Sequence, residues 1–411
     1  MKYPSGDCVG KAGFSSGSVG GTKMGRARRR FQGLARILGL ASLAGALVAG
    51  LQLAWGAQVA LLQPNALLKV LDRDRDGKLS REEVPPLLRQ QFEKWDRNGD
   101  GFLEAAEVEE IRRQRPASLQ RGPALPANVE AIWDIPYAES DEPRQRLDLL
   151  LPRERKGKLP VIVAIHGGGW IGGDKRAVVG RMATFAATGK YAVASIGYRL
   201  SSQATWPAQI HDCKAAIRWI RANAEKYGLD PDRIGVIGWS AGGHLAAMLG
   251  TTGDIADLEG DLGPYRDQKT AVQCVVDFFG PSDLRLVWGD SGEGAGRPSV
   301  LVERLLGGPV RERLDVARSA SPVAFVSPDD PPFLIVHGTE DPVVPYKQSV
   351  WLRDRLRKAG VSVALITVEG GGHGPFRNPK VDELVAQFFA THLLGEKHEF
   401  SDMTIADNPA N

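Results

Sequence analysis

The chain is expected to be an α/β protein, with a mostly parallel sheet carrying the larger part of its 411 residues behind a small helical preface. Three observations point there. From Val129 to about Leu394, short apolar β-type runs alternate with helical patterns, as strands and crossover helices do in a parallel sheet. Two Asp-rich loops interrupt a helix-forming acidic stretch before it, and a Pro-rich segment separates the two zones.

The bulk numbers fit one large domain with appendages. Hydrophobic residues make up 43% and charged residues 25%, enough for a sizeable core. The formal charge of +3 is misleading, because residues 1–56 hold eight Lys or Arg against one acid, Asp7, leaving the remainder at −4. That balance gives no general attraction to nucleic acid. Arg26, Arg28, Arg29 and Arg30 precede an apolar run from Ile37 to Ala57, with small residues at Ala54 and Gly56 suited to cleavage. Residues 1–57 therefore read as a secretory signal peptide, with Met24 as an alternative start, and the protein as exported to the periplasm or beyond the cell. An uncleaved membrane anchor is the alternative. After cleavage only Cys213 and Cys274 remain, a pair that the sequence leaves open between a disulfide and two buried thiols.

Residues 58–113 are expected to form the helical preface, residues 114–128 the linker, and residues 395–411 a frayed polar tail. Between them, strands are expected at Val161–Ile165, Tyr191–Ile196, Ile234–Gly238, Val275–Phe279, Phe333–Val336 and Val361–Val368. Ala131–Tyr137 and Arg146–Leu151 read as an antiparallel pair opening a sheet of eight strands. Helical patterns lie at Ala208–Lys226, Ala241–Leu249, Lys347–Lys358 and Val381–Leu393.

Asp72, Asp74, Asp76, Gly77 and Glu83 occupy positions 1, 3, 5, 6 and 12 of one loop; Asp96, Asn98, Asp100, Gly101 and Glu107 repeat the pattern. Calcium needs six to eight hard oxygen ligands, and this spacing supplies them around a tight turn, with the carbonyls of Lys78 and Phe102 at position 7. Leu79 and Leu103, at position 8, are placed to pair across the loops. The pattern resembles a paired EF-hand, which implies calcium. Pro85 and Pro86 in the short connection imply a compact pair, and with it a structural role for the calcium. Nothing in the sequence ties these loops to the chemistry downstream.

That chemistry is carried by four strand-end motifs. Gly238-Trp239-Ser240-Ala241-Gly242 joins the apolar run Ile234–Ile237 to an Ala-rich helix, a strand–turn–helix setting that exposes Ser240 as a nucleophile. His166-Gly167-Gly168-Gly169-Trp170 follows Val161–Ile165, and its glycines free backbone N–H groups to face an oxyanion. Gly168 and Gly169 would donate together with Ala241. An orienting acid and a base should follow in that order. Asp341 follows the strand Phe333–Val336, with Glu340 beside it as the less favoured carboxylate. His373 sits in the glycine-rich loop after Val361–Val368. His166 is expected to hold its loop and His337 to be structural. Trp170 and Trp239 flank the centre and read as pocket lining or as core filler. The segment 283–326, with a helical pattern at Val300–Leu306, is a candidate cover for the site.

HGGGW, GWSAGG, HGTEDPVVP and GGGHG together resemble the α/β-hydrolase esterases related to hormone-sensitive lipase. DCKAAIRWIRANAEKYGLDPDRIGVIGWSAGGHLAAMLG and VSPDDPPFLIVHGTEDPVVPYKQS resemble, more narrowly, the bacterial carboxylesterase branch that includes feruloyl and acetyl-xylan esterases. The resemblance covers about residues 129–394. It implies hydrolysis of small-molecule or polysaccharide-linked carboxylic esters by a serine carboxylesterase that needs no catalytic cofactor. A serine peptidase of prolyl-oligopeptidase type and an inactive hydrolase-fold binding module are the alternatives.

Overall fold

The computed structural model describes residues 76–81, 83–84, 92–108, 124–253, 255–286 and 300–408, all within one compact unit, Leu53–Asn411. The expected leader, most of the Pro-rich linker, and Asp72 and Asp74 lie outside the described residues.

The preface contributes two very short strands and a helical turn: β1 (Leu79–Ser80), α1 (Phe92–Trp95) and β2 (Phe102–Leu103). β1 and β2 pair antiparallel with Leu79 opposite Leu103, as the loop spacing required, and both leucines are buried.

The large sheet is built from β3 (Val129–Pro136), β4 (Arg146–Pro152), β5 (Leu159–Ile165), β6 (Ala192–Ile196) and β7 (Leu229–Trp239), followed by β8 (Cys274–Phe278), β9 (Phe333–Gly338), β10 (Val363–Glu369) and β11 (Met403–Ala406). Their order across the sheet is β11-β10-β9-β8-β7-β5-β6-β4-β3. From β11 to β6 every pairing is parallel; β4 joins β6 antiparallel and β3 joins β4 antiparallel.

Helices α2 (Arg176–Ala187), α3 (Ala208–Ala222), α4 (Ala224–Tyr227), α5 (Ala241–Thr251), α6 (Val300–Leu306), α7 (Leu314–Ser319), α8 (Lys347–Lys358) and α9 (Lys380–Leu394) complete the domain. The central strand β5 shows why the sheet needs helices on both faces. Every residue of LPVIVAI is buried. Val161, Val163 and Ile165 join the core on one face, whereas Ile162 and Ala164 join the core on the other. Strand alternation sends successive side chains to opposite sides, and apolar runs without a polar partner face require cover on both. Helix α5, buried along its whole length, follows directly on the turn at Ser240.

Two expectations change. The sheet has nine strands rather than eight, because the polar tail supplies β11, paired with β10 from Ile366↔Met403 to Glu369↔Ala406. Asp402 fixes its entry: it accepts from the Leu365 N–H at 2.9 Å and pairs with Arg353 and Arg357 of α8. A four-residue edge strand needs these contacts because it buries little itself: Met403, Thr404 and Ala406 are exposed. The second change is α2, which had no place among the expected helices. Cys213 and Cys274 are free thiols, both buried, and burial pushes both thiols up.

Candidate active site and its flanking loops

Four loops meet beyond the carboxyl ends of β5, β7, β9 and β10, where a parallel sheet gathers its functional groups. Ser240 occupies the turn between β7 and α5 with φ +55°. A left-handed serine costs about 1–3 kcal/mol and is held by its surroundings. Its N–H donates to Phe278 O at 2.8 Å, and a Cβ on Gly238 would collide with Gly242 O. The strand and helix therefore close to a distance that only glycine allows.

His373 Nε2 lies 2.9 Å from Ser240 Oγ, and His373 Nδ1 lies 2.6 Å from Asp341 Oδ2. Glu340, the neighbouring carboxylate, is exposed. The side chains of Asp341 and His373 are fully buried. Asp341 Oδ1 accepts the N–H groups of Val343 at 2.7 Å and Val344 at 2.9 Å. Burial pushes the Asp341 carboxyl up, but donation from His337 and His373, with their charges, outweighs it and holds the group well below the usual carboxylate range.

His337 is more than structural filler. Its Nε2 approaches two oxygens, Asp341 Oδ2 at 3.1 Å and Val344 O at 2.9 Å, and must therefore carry the proton. Its Nδ1 then accepts from Ser349 Oγ at 2.7 Å. His337 thus fixes the carboxylate that His373 touches. Its position four residues before Asp341, at the C-terminal end of β9, was the available signal.

The glycine loop after β5 carries φ of +121° at Gly168, +59° at Gly169 and +58° at Trp170. The N–H groups of Gly168, Gly169 and Ala241 make no hydrogen bond to another described residue, so all three remain available as donors. For Ala241 this follows from its place at the first turn of α5. His166 stacks on Tyr198, with centroids 4.4 Å apart, and its Nδ1 donates to Gly167 O at 2.7 Å. Burial lowers its pKa to about 4, so it braces the loop as a neutral ring.

Trp170 is buried and is not exposed as pocket lining. Its indole donates to His244 Nδ1 at 3.2 Å, and His244 Nε2 donates to Ala320 O at 2.7 Å. This chain ties the glycine loop to helix α5. Burial lowers the His244 pKa to about 4, which keeps Nδ1 an acceptor at neutral pH. Trp239 is only partly buried and stacks on Phe278 at 5.6 Å. In segment 283–326, Leu301 of α6 lies against Gly169.

The second acidic loop is curled by its own side chains. Asp96 accepts from the Gly99 and Gly101 N–H groups, at 2.8 and 2.9 Å, Asn98 from Asp100 N–H at 3.0 Å, and Asp100 from Phe102 N–H at 2.9 Å. Glu107 reaches back to the Arg97 N–H at 2.8 Å. In the first loop Asp76 accepts from Lys78 N–H, and Glu83 from Ser80 N–H and Oγ. Gly77 and Gly101, both at position 6, have φ of +85° and +82°. Among the described residues no group of three His, Cys, Asp or Glu is already gathered for a metal, and Lys78 pairs with Glu104 at 2.6 Å. The donor set of Asp96, Asn98, Asp100, the Phe102 carbonyl and Glu107 is nonetheless all hard oxygen on one turn, which fits calcium.

Comparison with known proteins agrees with this architecture. The BD-FAE family model matches residues 147–356, and the EF-hand family model matches residues 65–84 and 88–111. Esterase LipC of Mycobacterium tuberculosis is 33% identical over 303 residues, covering 65% of this chain and 72% of LipC. The probable carboxylic ester hydrolase LipM of the same organism is 34% identical, but the match spans only 57% of its length. A solved truncated carbohydrate esterase from gut microbiota is 36% identical with a TM-score of 0.60, covering 67% of this chain and all of that one (100%). The chain belongs to the BD-FAE family of α/β-hydrolase esterases, carries an EF-hand match at its N-terminal side, and is a carboxylesterase.

Proposed function

We propose that the protein hydrolyses short acyl or aromatic esters, including acetyl or feruloyl groups carried on polysaccharide, through a Ser240–His373–Asp341 triad and an acyl-enzyme. The observation that carries the reading is the continuous contact from Asp341 Oδ2 through the His373 ring to Ser240 Oγ. His373, oriented by Asp341, takes the Ser240 proton as Oγ attacks the ester carbonyl. The N–H groups of Gly168, Gly169 and Ala241 stabilise the oxyanion, and His373 protonates the departing alcohol. Water then repeats the sequence on the acyl-enzyme. The similarity to a carbohydrate esterase supports the polysaccharide-linked substrate.

Calcium is proposed as a structural ligand of both N-terminal loops. Asp72, Asp74, Asp76, the Lys78 carbonyl and Glu83 would hold one ion, and the second-loop donors the other; the ion supplies rigidity to the loops. Export through the basic, apolar N-terminal segment accords with such a substrate. The test is Ser240→Ala, which should abolish p-nitrophenyl acetate hydrolysis and fluorophosphonate labelling while leaving the melting temperature intact. Retained turnover would remove Ser240 from the mechanism. Acetylated xylan, methyl ferulate and p-nitrophenyl esters of rising length then read the substrate; cleavage of long-chain esters alone would end the polysaccharide reading.

A further inference from the structure

The acidic loops are the one sequence motif that ester hydrolysis leaves unused, and their apolar seam runs to the oxyanion loop. Leu79, Val84, Phe92, Leu103 and Val108 form a buried cluster whose sixth buried member is Ile171. Ile171 belongs to the glycine loop, next to Trp170 and two residues past Gly169. Leu301 of α6 packs on the same cluster, and its Cδ1 lies 2.8 Å from the place a Cβ on Gly169 would take. The cluster thus reaches the loop twice, through Ile171 itself and through Leu301 against Gly169.

The backbone carries the connection further. The Ile171 N–H donates to Gly168 O at 3.1 Å, and the Gly172 N–H donates to the same oxygen at 3.0 Å. That carbonyl shares its peptide plane with the Gly169 nitrogen. In a trans peptide the C=O and N–H point in opposite directions, so fixing one aims the other. Displacing Ile171 therefore turns the Gly169 N–H. Upstream, Leu79 and Leu103 each follow the position-7 residue whose carbonyl would face calcium, and they pair directly across β1 and β2.

We propose that the EF-hand pair is a positioning element of the oxyanion hole, with Ile171 as the positioning residue, so that calcium binding and oxyanion binding are coupled. The proposal rests on the calcium and ester readings above. Ordering the loops sets the Leu79–Leu103 seam, the seam seats Ile171, and Ile171 sets the Gly168–Gly169 peptide. Coupling between two sites is reciprocal: an oxygen held in the hole must tighten calcium in the loops by the same factor.

The experiment uses the full chain. Diethyl p-nitrophenyl phosphate reacts at Ser240: Oγ forms the bond to phosphorus, p-nitrophenolate leaves, His373 takes the proton, and a phosphoryl oxygen occupies the hole. Calcium is then titrated calorimetrically into the free enzyme and the adduct. Calcium should bind the adduct about 5-fold or more tightly. Ile171→Ala should erase that difference, and Ile171→Val should restore it. Kinetically, Ile171→Ala should lower kcat by about 10-fold or more with little change in KM, the pattern of a misplaced transition-state donor. Equal calcium affinities for enzyme and adduct overturn the coupling while calcium binding stands. No calcium heat in either form overturns the calcium reading and the coupling together. Failure to release p-nitrophenolate strikes the ester mechanism, and the coupling with it.

Discussion

Asp341→Asn is the sharpest test of the site, because the geometry leaves the amide no satisfactory orientation. Asp341 accepts four N–H groups: Val343 and Val344 on Oδ1, His337 and His373 on Oδ2. An asparagine has one oxygen and one NH₂. Either rotamer turns the NH₂ toward two N–H donors. With the oxygen kept on the Val343 and Val344 amides, His373 must present an Nδ1 lone pair and move its proton to Nε2, facing Ser240. A histidine in that tautomer cannot take the serine proton, and a wrong tautomer of this kind costs about 10⁴-fold in kcat. His337 cannot escape the same way, since its Nε2–H also serves the Val344 carbonyl, which can only accept. One buried donor left unmet costs about 1–3 kcal/mol. Asp341 is held far below its unfolded pKa, so its stabilisation is present above pH ~3.8 and lost only as pH falls through the folded value. An assay at pH 8 therefore compares the variant with the fully stabilised enzyme. The expected result is a kcat loss near 10⁴ on p-nitrophenyl acetate together with a lower urea midpoint. Glu340→Gln, at the exposed neighbour, should stay within about 2-fold. Asp341→Asn activity above a tenth of wild type, or equal losses in the two variants, would refute the assignment.

Two further outcomes follow from buried groups around the site. Burial raises the Asp277 carboxyl to about 6. The folded chain then keeps a proton that the unfolded chain loses, so stability falls as pH rises from about 4 to 6 and stays lost above. Asp277→Asn removes that penalty, and its stability gain over wild type should grow across this window to roughly 3 kcal/mol, read from urea midpoints at pH 4.5 and 7.5; a gain independent of pH would contradict the burial argument. Trp170→Phe deletes the indole N–H that His244 Nδ1 accepts. It should cost about 1 kcal/mol and lower kcat more than it changes KM; unaltered kcat would mean the glycine loop is held without that bond.

Much of this was readable from the chain because the signals are local. The strand–turn–helix around Ser240 follows from an apolar β-branched run, two glycines and an Ala-rich helix. The order of the Asp341 and His373 loops follows from where the next strands end. The pairing of Leu79 with Leu103 follows from two loops of equal spacing. Helix α2 also had a signal: Val178, Met182 and Ala186, with Val179 and Ala183, are buried at helical intervals. Gly180 and the paired valines obscured it, since both weaken helix propensity. Strand β11 gave little, because it is four residues long within a polar tail and its place depends on Asp402 meeting two arginines on α8.

The sequence by itself determined the fold class, the strand–turn–helix around Ser240 and the candidate set of nucleophile, acid, base and oxyanion donors, since each rests on neighbours within a few residues. Only the tertiary structure set Asp341 against His373 with Glu340 turned to solvent, gave His337 a share in that carboxylate, and made Trp170 a buried brace where the sequence left pocket lining and core filler open. It alone brought Ile171 into the core of the acidic-loop unit. These depend on residues far apart in sequence meeting at fixed distances, and residue type and spacing carry no record of which buried donor finds which acceptor.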